Sequence, residues 1–302
     1  MKNGFHDKRC YNRRGPPSKG VLPRLVCTAC KNELVLQEEQ STILCSSCGQ
    51  QHPVQSGAPI MMEPTTWAAP GKRVDRKGAR EFRAKSALRR IAEATAPPSP
   101  SLNVSRIVQL MLEDLGCEAS VLDLGSGGHR LAHHVINVDI ALSPNVDIVA
   151  AGQALPFKDA TFDAVITQAV LEHVPDPGNV VAEIGRVLKD DGYIYAEIPF
   201  MQGYHADPGD YHRFTRSGIR WLFRDFEATD LGVCVGPSSA LAWMLREYAR
   251  LVVYGSEPLG KIMYRLVGWI TLPLKYLDLI MARTEKAHVI AAGFYFYGRR
   301  RA

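Results

Sequence analysis

The sequence predicts an α/β chain: a doubly wound, mostly parallel sheet with a small metal-clipped module in front of it. Three features carry that expectation. From Val121 onward, short apolar runs alternate with turns rich in Gly, Pro and Asp and with a stretch of helical periodicity. The first of these runs, Val121 to Leu124, feeds directly into Gly125-Ser126-Gly127-Gly128, where missing Cβ atoms let backbone approach a ligand. Finally, two Cys-x-x-Cys pairs, Cys27/Cys30 and Cys45/Cys48, lie in the front third with fourteen residues between them.

Taken in order, the chain opens with a basic tail, residues 1–21. Six Lys/Arg and Gly15-Pro16-Pro17 fall within residues 1–20, with too little apolar content to offset chain entropy, so disorder is expected there. Residues 22–63 form the cysteine module and 64–100 a basic linker. Gly71 to Arg90 carries nine Lys/Arg against two acids and reads as a solvated helix or an anionic contact; Ala96-Pro97-Pro98-Ser99-Pro100 closes the linker stiffly. The large domain, 101–302, starts with a helix capped by Asn103 and stopped by Gly116, its apolar positions Val104, Ile107, Val108, Met111, Leu112 and Leu115 at helical spacing. Strands follow at Val121–Leu124, Val135–Val138, Val146–Val149, Ala164–Thr167 and Tyr193–Ile198, with a helix over Asn179–Leu188. Phe226–Val235 and Ala287–Tyr297 supply a closing antiparallel pair.

Charge is unevenly spread. Residues 1–100 hold 17 basic against 8 acidic side chains and the rest 19 against 23, so a surface that grips nucleic acid along its whole length is excluded. The remaining cysteines, Cys10, Cys117 and Cys234, are scattered and make poor disulfide material; with a polar, basic start they point to a cytoplasmic setting.

The glycine turn fails as a dinucleotide fingerprint, because Arg130 stands where the third glycine belongs. Asp123, two residues before Gly125, suits the ammonium of a methionine moiety and would repel a phosphate. With Asp139 ending the second strand, Ala154-Leu-Pro-Phe157, Phe162-Asp-Ala-Val165, Val170-Leu-Glu-His-Val174 and Arg186-Val-Leu-Lys-Asp-Asp-Gly192, the segment Leu102 to Phe226 resembles the class I methyltransferases, in particular the type 11 branch. The resemblance implies a Rossmann-like sheet and S-adenosyl-L-methionine as cofactor, held by Asp123, Gly125, Ser126, Gly127, Asp139, Leu155 and Gln168, with Asp139 on the ribose hydroxyls. It implies that His173 shapes the pocket. Three departures stand out. Gly125 to Asp139 is short, so a helix near His129–His134 must shrink to one or two turns. Ala151 occupies the position of the acid that meets the adenine amino group, leaving that contact to backbone or Gln153. Asp190-Asp191-Gly192 replaces a Pro-Gly-Gly turn. His129, His133 and His134 read as part of the short helix, without a metal.

Four thiolates at the spacing of Cys27, Cys30, Cys45 and Cys48 close a tetrahedral zinc sphere, and so short a module needs the metal's folding energy. Residues Leu25–Met62 resemble zinc-ribbon proteins that partner methyltransferases, and the ribbon at the front of some ribosomal RNA guanine methyltransferases, which keeps RNA open as a substrate.

Acceptor chemistry is expected after the last parallel strands, where Pro199 to Thr215 concentrates His205, Asp207, Asp210 and His212, the candidate catalytic residues, beside Tyr211 and Arg213. A base or acceptor-orienting role, a hydrogen-bonded lid and a second metal site all fit that composition. The insertion 237–286 is rich in Leu, Met, Trp and Tyr, but charges interrupt every apolar run well short of the roughly 20 residues a bilayer requires. Two amphipathic helices there would lie in a membrane interface, cap the pocket or form a dimer face. The expected function is methyl transfer to a small-molecule or lipid/glycan-linked acceptor, with peripheral contact at the inner membrane surface. The alternatives are an RNA methyltransferase and a degenerate methyltransferase fold that only binds.

Overall fold

The computed structural model describes residues 21–37, 41–62 and 104–301. The basic tail, the basic linker and the Asn103 cap lie outside the described residues. β1 (Leu34–Gln37), β2 (Thr42–Cys45), β3 (Gln51–Gln55) and β4 (Ala58–Pro59) form a small antiparallel sheet in that order. Then come α1 (Val104–Leu115), β5 (Val121–Leu124), β6 (Val135–Asp139), β7 (Ile148–Val149), β8 (Phe162–Gln168), α2 (Pro177–Val187), β9 (Leu188–Pro199), α3 (Arg216–Leu222) and β10 (Phe226–Val235). Three helices, α4 (Pro237–Val252), α5 (Glu257–Thr271) and α6 (Leu274–Met281), precede β11 (Gly293–Arg300).

The large sheet has seven strands in the order β10-β11-β9-β8-β5-β6-β7; the five from β7 to β9 run parallel and β11 is antiparallel to both neighbours. Alternation sorts its side chains to two faces. Leu122, Leu124, Val165, Ile194, Ala196 and Ile198 meet Val180, Val181, Ile184 and Val187 of α2, while Val121, Ala164, Ile166 and Tyr195 meet Val108 and Met111 of α1. Asp176 caps α2 by accepting the Asn179 amide at 3.1 Å, with Pro177 in the first turn, where its missing N–H costs nothing.

The expected short helix between β5 and β6 does not form: Gly125 to His134 is a run of turns. Ten residues containing two further glycines cannot nucleate a helix and still cross to the next strand. Arg130 pins the crossing instead. Its guanidinium donates to Val135 O and Asn145 O, both at 2.8 Å, and to the buried Asp147 carboxylate at 2.7 Å. Among the described residues no helix covers the links from β5 to β8 either, and the cysteine module fills that place. Val21, Leu25, Ile43 and Met61 join the same core as Ile136, Val138, Ile148, Leu155 and Phe157. Ile60 pairs in parallel with Val149, and Met61 N–H donates to Val149 O at 2.8 Å, so the edge of β7 is covered.

The closing strand begins at Gly293, not Ala287, because Glu285–Val289 winds into a short 3₁₀ turn first. Asp190-Asp191-Gly192, expected as a turn, lies inside β9 at an irregularity in its pairing with β8, and Asp191 takes φ +60° there, a left-handed conformation that Asp tolerates.

Candidate functional site

The site gathers at the C-terminal ends of β5, β6, β8 and β9, where open parallel sheets receive ligands. Gly125 and Ser126 both donate to Val138 O, at 2.8 and 3.2 Å, drawing the glycine turn across the end of β6. The two glycines have different reasons to be there. At Gly125, φ +78°, an added Cβ would lie 2.1 Å from Val170 Cγ2, so this glycine admits the loop after β8. At Gly127, φ +57°, a Cβ would meet nothing within 4 Å, which leaves that backbone open to a ligand.

Asp139 accepts from Gly127 N–H through Oδ2 and from Ala141 N–H through Oδ1, each at 2.8 Å. Burial raises its pKa, and Asp207 in the loop after β9 adds to that effect by its charge. Asp123 is 5% exposed and pushed up to about 7, first by burial and then by Asp139. Two carboxylates so placed favour a cation between or beside them. Nearby, the Ser126 and Thr167 hydroxyls and the Gln153 carbonyl oxygen are buried with no hydrogen-bond partner. These unmet polar groups, the acid pair and the open Gly127 backbone fit the ammonium, carboxylate and ribose of a methionine-linked nucleoside.

Leu155 and Gln168 are placed differently from the polar candidates. Leu155 is fully buried in the core; its N–H donates to Glu183 at 2.8 Å, and its carbonyl accepts from Arg186 at 2.9 Å and from Lys31 of the cysteine module at 3.5 Å. Arg186 also holds Phe157 O and Asp159, so Glu183 and Arg186 clamp the loop on which Gln153 and Leu155 sit. Glu183, on α2, carries no sequence signal beyond its spacing of three from Arg186. The Gln168 amide donates to Glu197, which Tyr195 also bonds at 3.1 Å.

The loop after β9 is wound around Arg213. Its guanidinium donates to both oxygens of Asp210, to Gln202 O at 3.0 Å and to Gly203 O at 2.9 Å. Asp210 also accepts the His205 amide at 2.8 Å, and the Arg213 bonds hold its carboxyl down to about 2. His212 Nε2 donates to Pro175 O at 3.1 Å, and Tyr211 N–H to Glu172 O at 2.7 Å. Of the four expected acceptor-side residues, Asp210 therefore braces the loop and His212 ties it to the start of α2. Asp207 approaches the cofactor acid, and His205 faces Glu172, with Nε2 3.6 Å from Oε1. Trp243 of α4 packs on this loop, its ring centroid 6.1 Å from that of His205.

In the cysteine module the four sulfurs of Cys27, Cys30, Cys45 and Cys48 converge, with one ligand atom from each within 4.8 Å of the others. Cys27 and Cys48 lie 3.6 Å apart and Cys30 and Cys45 3.4 Å apart, separations that surround a tetrahedral centre.

Residues 106–196 match the family described as a methyltransferase domain. The matched segment and the sheet order give this part of the chain the fold of a class I methyltransferase domain. The chain is 27% identical over 89 residues to a ubiquinone biosynthesis O-methyltransferase of Burkholderia cenocepacia, covering 30% of this chain and 38% of that protein. It is 43% identical over 51 residues to an uncharacterised protein of Methanocaldococcus jannaschii, 17% of this chain and 25% of the other. The chain thus spans well under half the length of these curated relatives. Among solved structures, it is similar to a Burkholderia thailandensis 1,6-didemethyltoxoflavin-N1-methyltransferase with bound S-adenosylhomocysteine, at 18% identity and a TM-score of 0.40, covering 67% of this chain and 78% of that one.

Proposed function

We propose that the chain is an S-adenosylmethionine-dependent methyltransferase whose acceptor is a small molecule or a lipid- or glycan-linked group presented at a membrane surface. The observation that carries the cofactor half is the pairing of buried Asp123 with half-buried Asp139 beside the open Gly127 backbone. Asp123 would hold the ammonium and Asp139 the ribose hydroxyls, with Gly125, Ser126 and Gly127 lining the turn. Gln153 or backbone of the Ala151–Leu155 loop would meet the adenine edge that Ala151 cannot. When bound, the cofactor supplies an electrophilic methyl on a sulfonium. The chain's task is then to align the acceptor, exclude water and remove a proton where the nucleophile carries one. Asp207 is the residue of the loop after β9 left free to do so, while Asp210 and His212 hold the loop in shape and His205 faces Glu172. The four cysteines would bind one structural zinc with no open position, stabilising the module that covers β7.

The acceptor half rests on the insertion, which is built inside out. Two of its charged groups are internal: buried Asp278 accepts the amides of Ser238 and Ser239 at 2.8 and 2.9 Å, and buried Arg246 stacks 4.0 Å from the Tyr264 ring. Its apolar groups face outward, with Leu251, Tyr254, Ile270 and Ile280 each at least 70% exposed and Trp269 and Tyr248 beside them. No helix among the described residues is long and apolar enough to cross a membrane. Apolar side chains with Trp and Tyr, and seven Lys/Arg against four acids over 237–286, suit attachment in the headgroup region. Through Trp243 the same helices reach the acceptor loop.

Purified protein incubated with methyl-labelled cofactor and separate lipid, metabolite and RNA fractions tests the reading. Label in the lipid or metabolite fraction is expected; label confined to RNA would replace the acceptor assignment, and label in none would refute it.

A further inference from the structure

Glu172 is fully buried, and neither carboxylate oxygen has a hydrogen-bond donor. A bare carboxylate in the interior is costly, and it persists where a cation compensates it. What faces it are two imidazoles: His173 Nε2 lies 3.7 Å and His205 Nε2 3.6 Å from Oε1. The other nitrogen of each ring is already committed. His173 Nδ1–H donates to Gly209 O at 2.6 Å, and His205 Nδ1–H to Gly203 O at 3.0 Å, nearer than Arg213 Nη2 at 3.3 Å. Each Nε2 is therefore free to turn a lone pair toward Glu172. The rings stand edge to face, centroids 5.1 Å apart, and the three ligand atoms lie within 4.8 Å of one another.

We propose that Glu172, His173 and His205 form a second metal site, for a divalent transition ion of the zinc–cobalt type. The geometry fits such an ion. Ligands about 2.1 Å from a tetrahedral centre stand about 3.4 Å apart, close to the 3.6 and 3.7 Å separations here. A ligating imidazole commonly donates its second N–H to a backbone carbonyl, and both rings do so. Two imidazoles and one carboxylate leave at least one coordination position open, as in zinc centres that do chemistry. The site joins the loop after β8 to the loop after β9, so the ion would also fix the acceptor loop. That the open position would take an acceptor oxygen rests on the methyltransferase reading; binding of the ion does not.

The test is cobalt titration of the full chain, with the four-cysteine site left filled and weakly held metal first removed by dialysis against a chelator. One further equivalent of Co2+ should bind, with the weak visible absorption of nitrogen and oxygen ligation and without thiolate charge transfer. Affinity should fall by more than about 100-fold in His205→Ala and in Glu172→Gln, beyond the loss expected for an outer-shell partner. Unchanged retention of the cysteine-bound metal and an unchanged thermal midpoint would show that each variant folds. His205, in a partly exposed loop, decides the matter if Glu172→Gln does not fold. No cobalt beyond the cysteine site, or an affinity that the folded variants leave unaltered, would overturn the assignment and leave the cluster as two imidazoles packed around a carboxylate.

Discussion

Gly127 N–H donates to Asp139 Oδ2 at 2.8 Å, closing the glycine turn of β5 onto the acid that ends β6 with no helix between them. The bond pre-sets the Asp139 carboxylate while leaving lone pairs for ligand hydroxyls. Asp139→Ala removes both functions and should weaken S-adenosylmethionine binding by about 1.5 to 3 kcal/mol, the range for hydrogen bonds to a charged group. Calorimetry returning the wild-type affinity would remove Asp139 from the ribose.

Asp123 gives the binding a pH signature. Its folded pKa of about 7 lies above the unfolded carboxyl value of about 3.9, so between those values the folded chain holds more protons than the unfolded one. The ligand-free chain should therefore lose stability as pH rises through that window. The cofactor ammonium favours the ionised carboxylate, so affinity should climb by up to about tenfold per unit as pH approaches 7 and then level off. In Asp123→Asn both dependences should flatten; a slope unaltered by this change would mean that another group titrates.

The cysteine module should matter to the large domain as well as to itself. Leu25, Ile43 and Met61 lie in the shared core, and Ile60 pairs with Val149. Cys45→Ser should therefore release the proposed zinc and lower the melting temperature of the whole chain by more than about 5 °C in a single transition. A separate early transition with the main one unmoved would show that the module folds as an independent bead.

Arg130 stands in for the missing crossover helix. Arg130→Ala deletes three bonds and strands the buried Asp147 carboxylate, at a cost of about 2 to 4 kcal/mol. Urea unfolding resolves that difference, and a change under about 0.5 kcal/mol would mean that the turns hold themselves.

How far the sequence revealed this depended on whether local pattern or distant packing decided each element. β5 and β10 end where periodicity and turn residues place them, and the glycine turn, Asp123 and Asp139 converge as their motifs suggest. The span His129–His134 looked helical because its family position demanded a helix, yet its composition could not support one. Pro273, which separates α5 from α6, divides the insertion into three helices instead of two. Glu172 was legible only as one letter of Leu-Glu-His; that it is buried without a donor, opposite His205, depends on a loop returning more than thirty residues later. Likewise, the outward apolar faces of α4 to α6 follow from Asp278 and Arg246 taking the interior.

Those faces predict behaviour at membranes. The protein should co-sediment with liposomes containing anionic lipid, less so as salt rises because basic residues contribute roughly 1 kcal/mol each near such a surface and are screened. Replacing Leu251, Ile270 and Ile280 with Ser should release it. Protein that stays in the supernatant with every lipid would leave a pocket cap or a dimer face as the insertion's role.

The central claim is that the end of this sheet holds S-adenosylmethionine for methyl transfer. Isothermal titration of the full chain with S-adenosylmethionine and with S-adenosylhomocysteine tests it most directly. One molecule of either should bind per chain, and because both ligands carry the same ammonium and ribose, both should lose affinity in Asp123→Asn and in Asp139→Ala. An absence of binding by either ligand at millimolar concentration, in protein shown to be folded, would contradict the account and mark the domain as a methyltransferase fold without its cofactor.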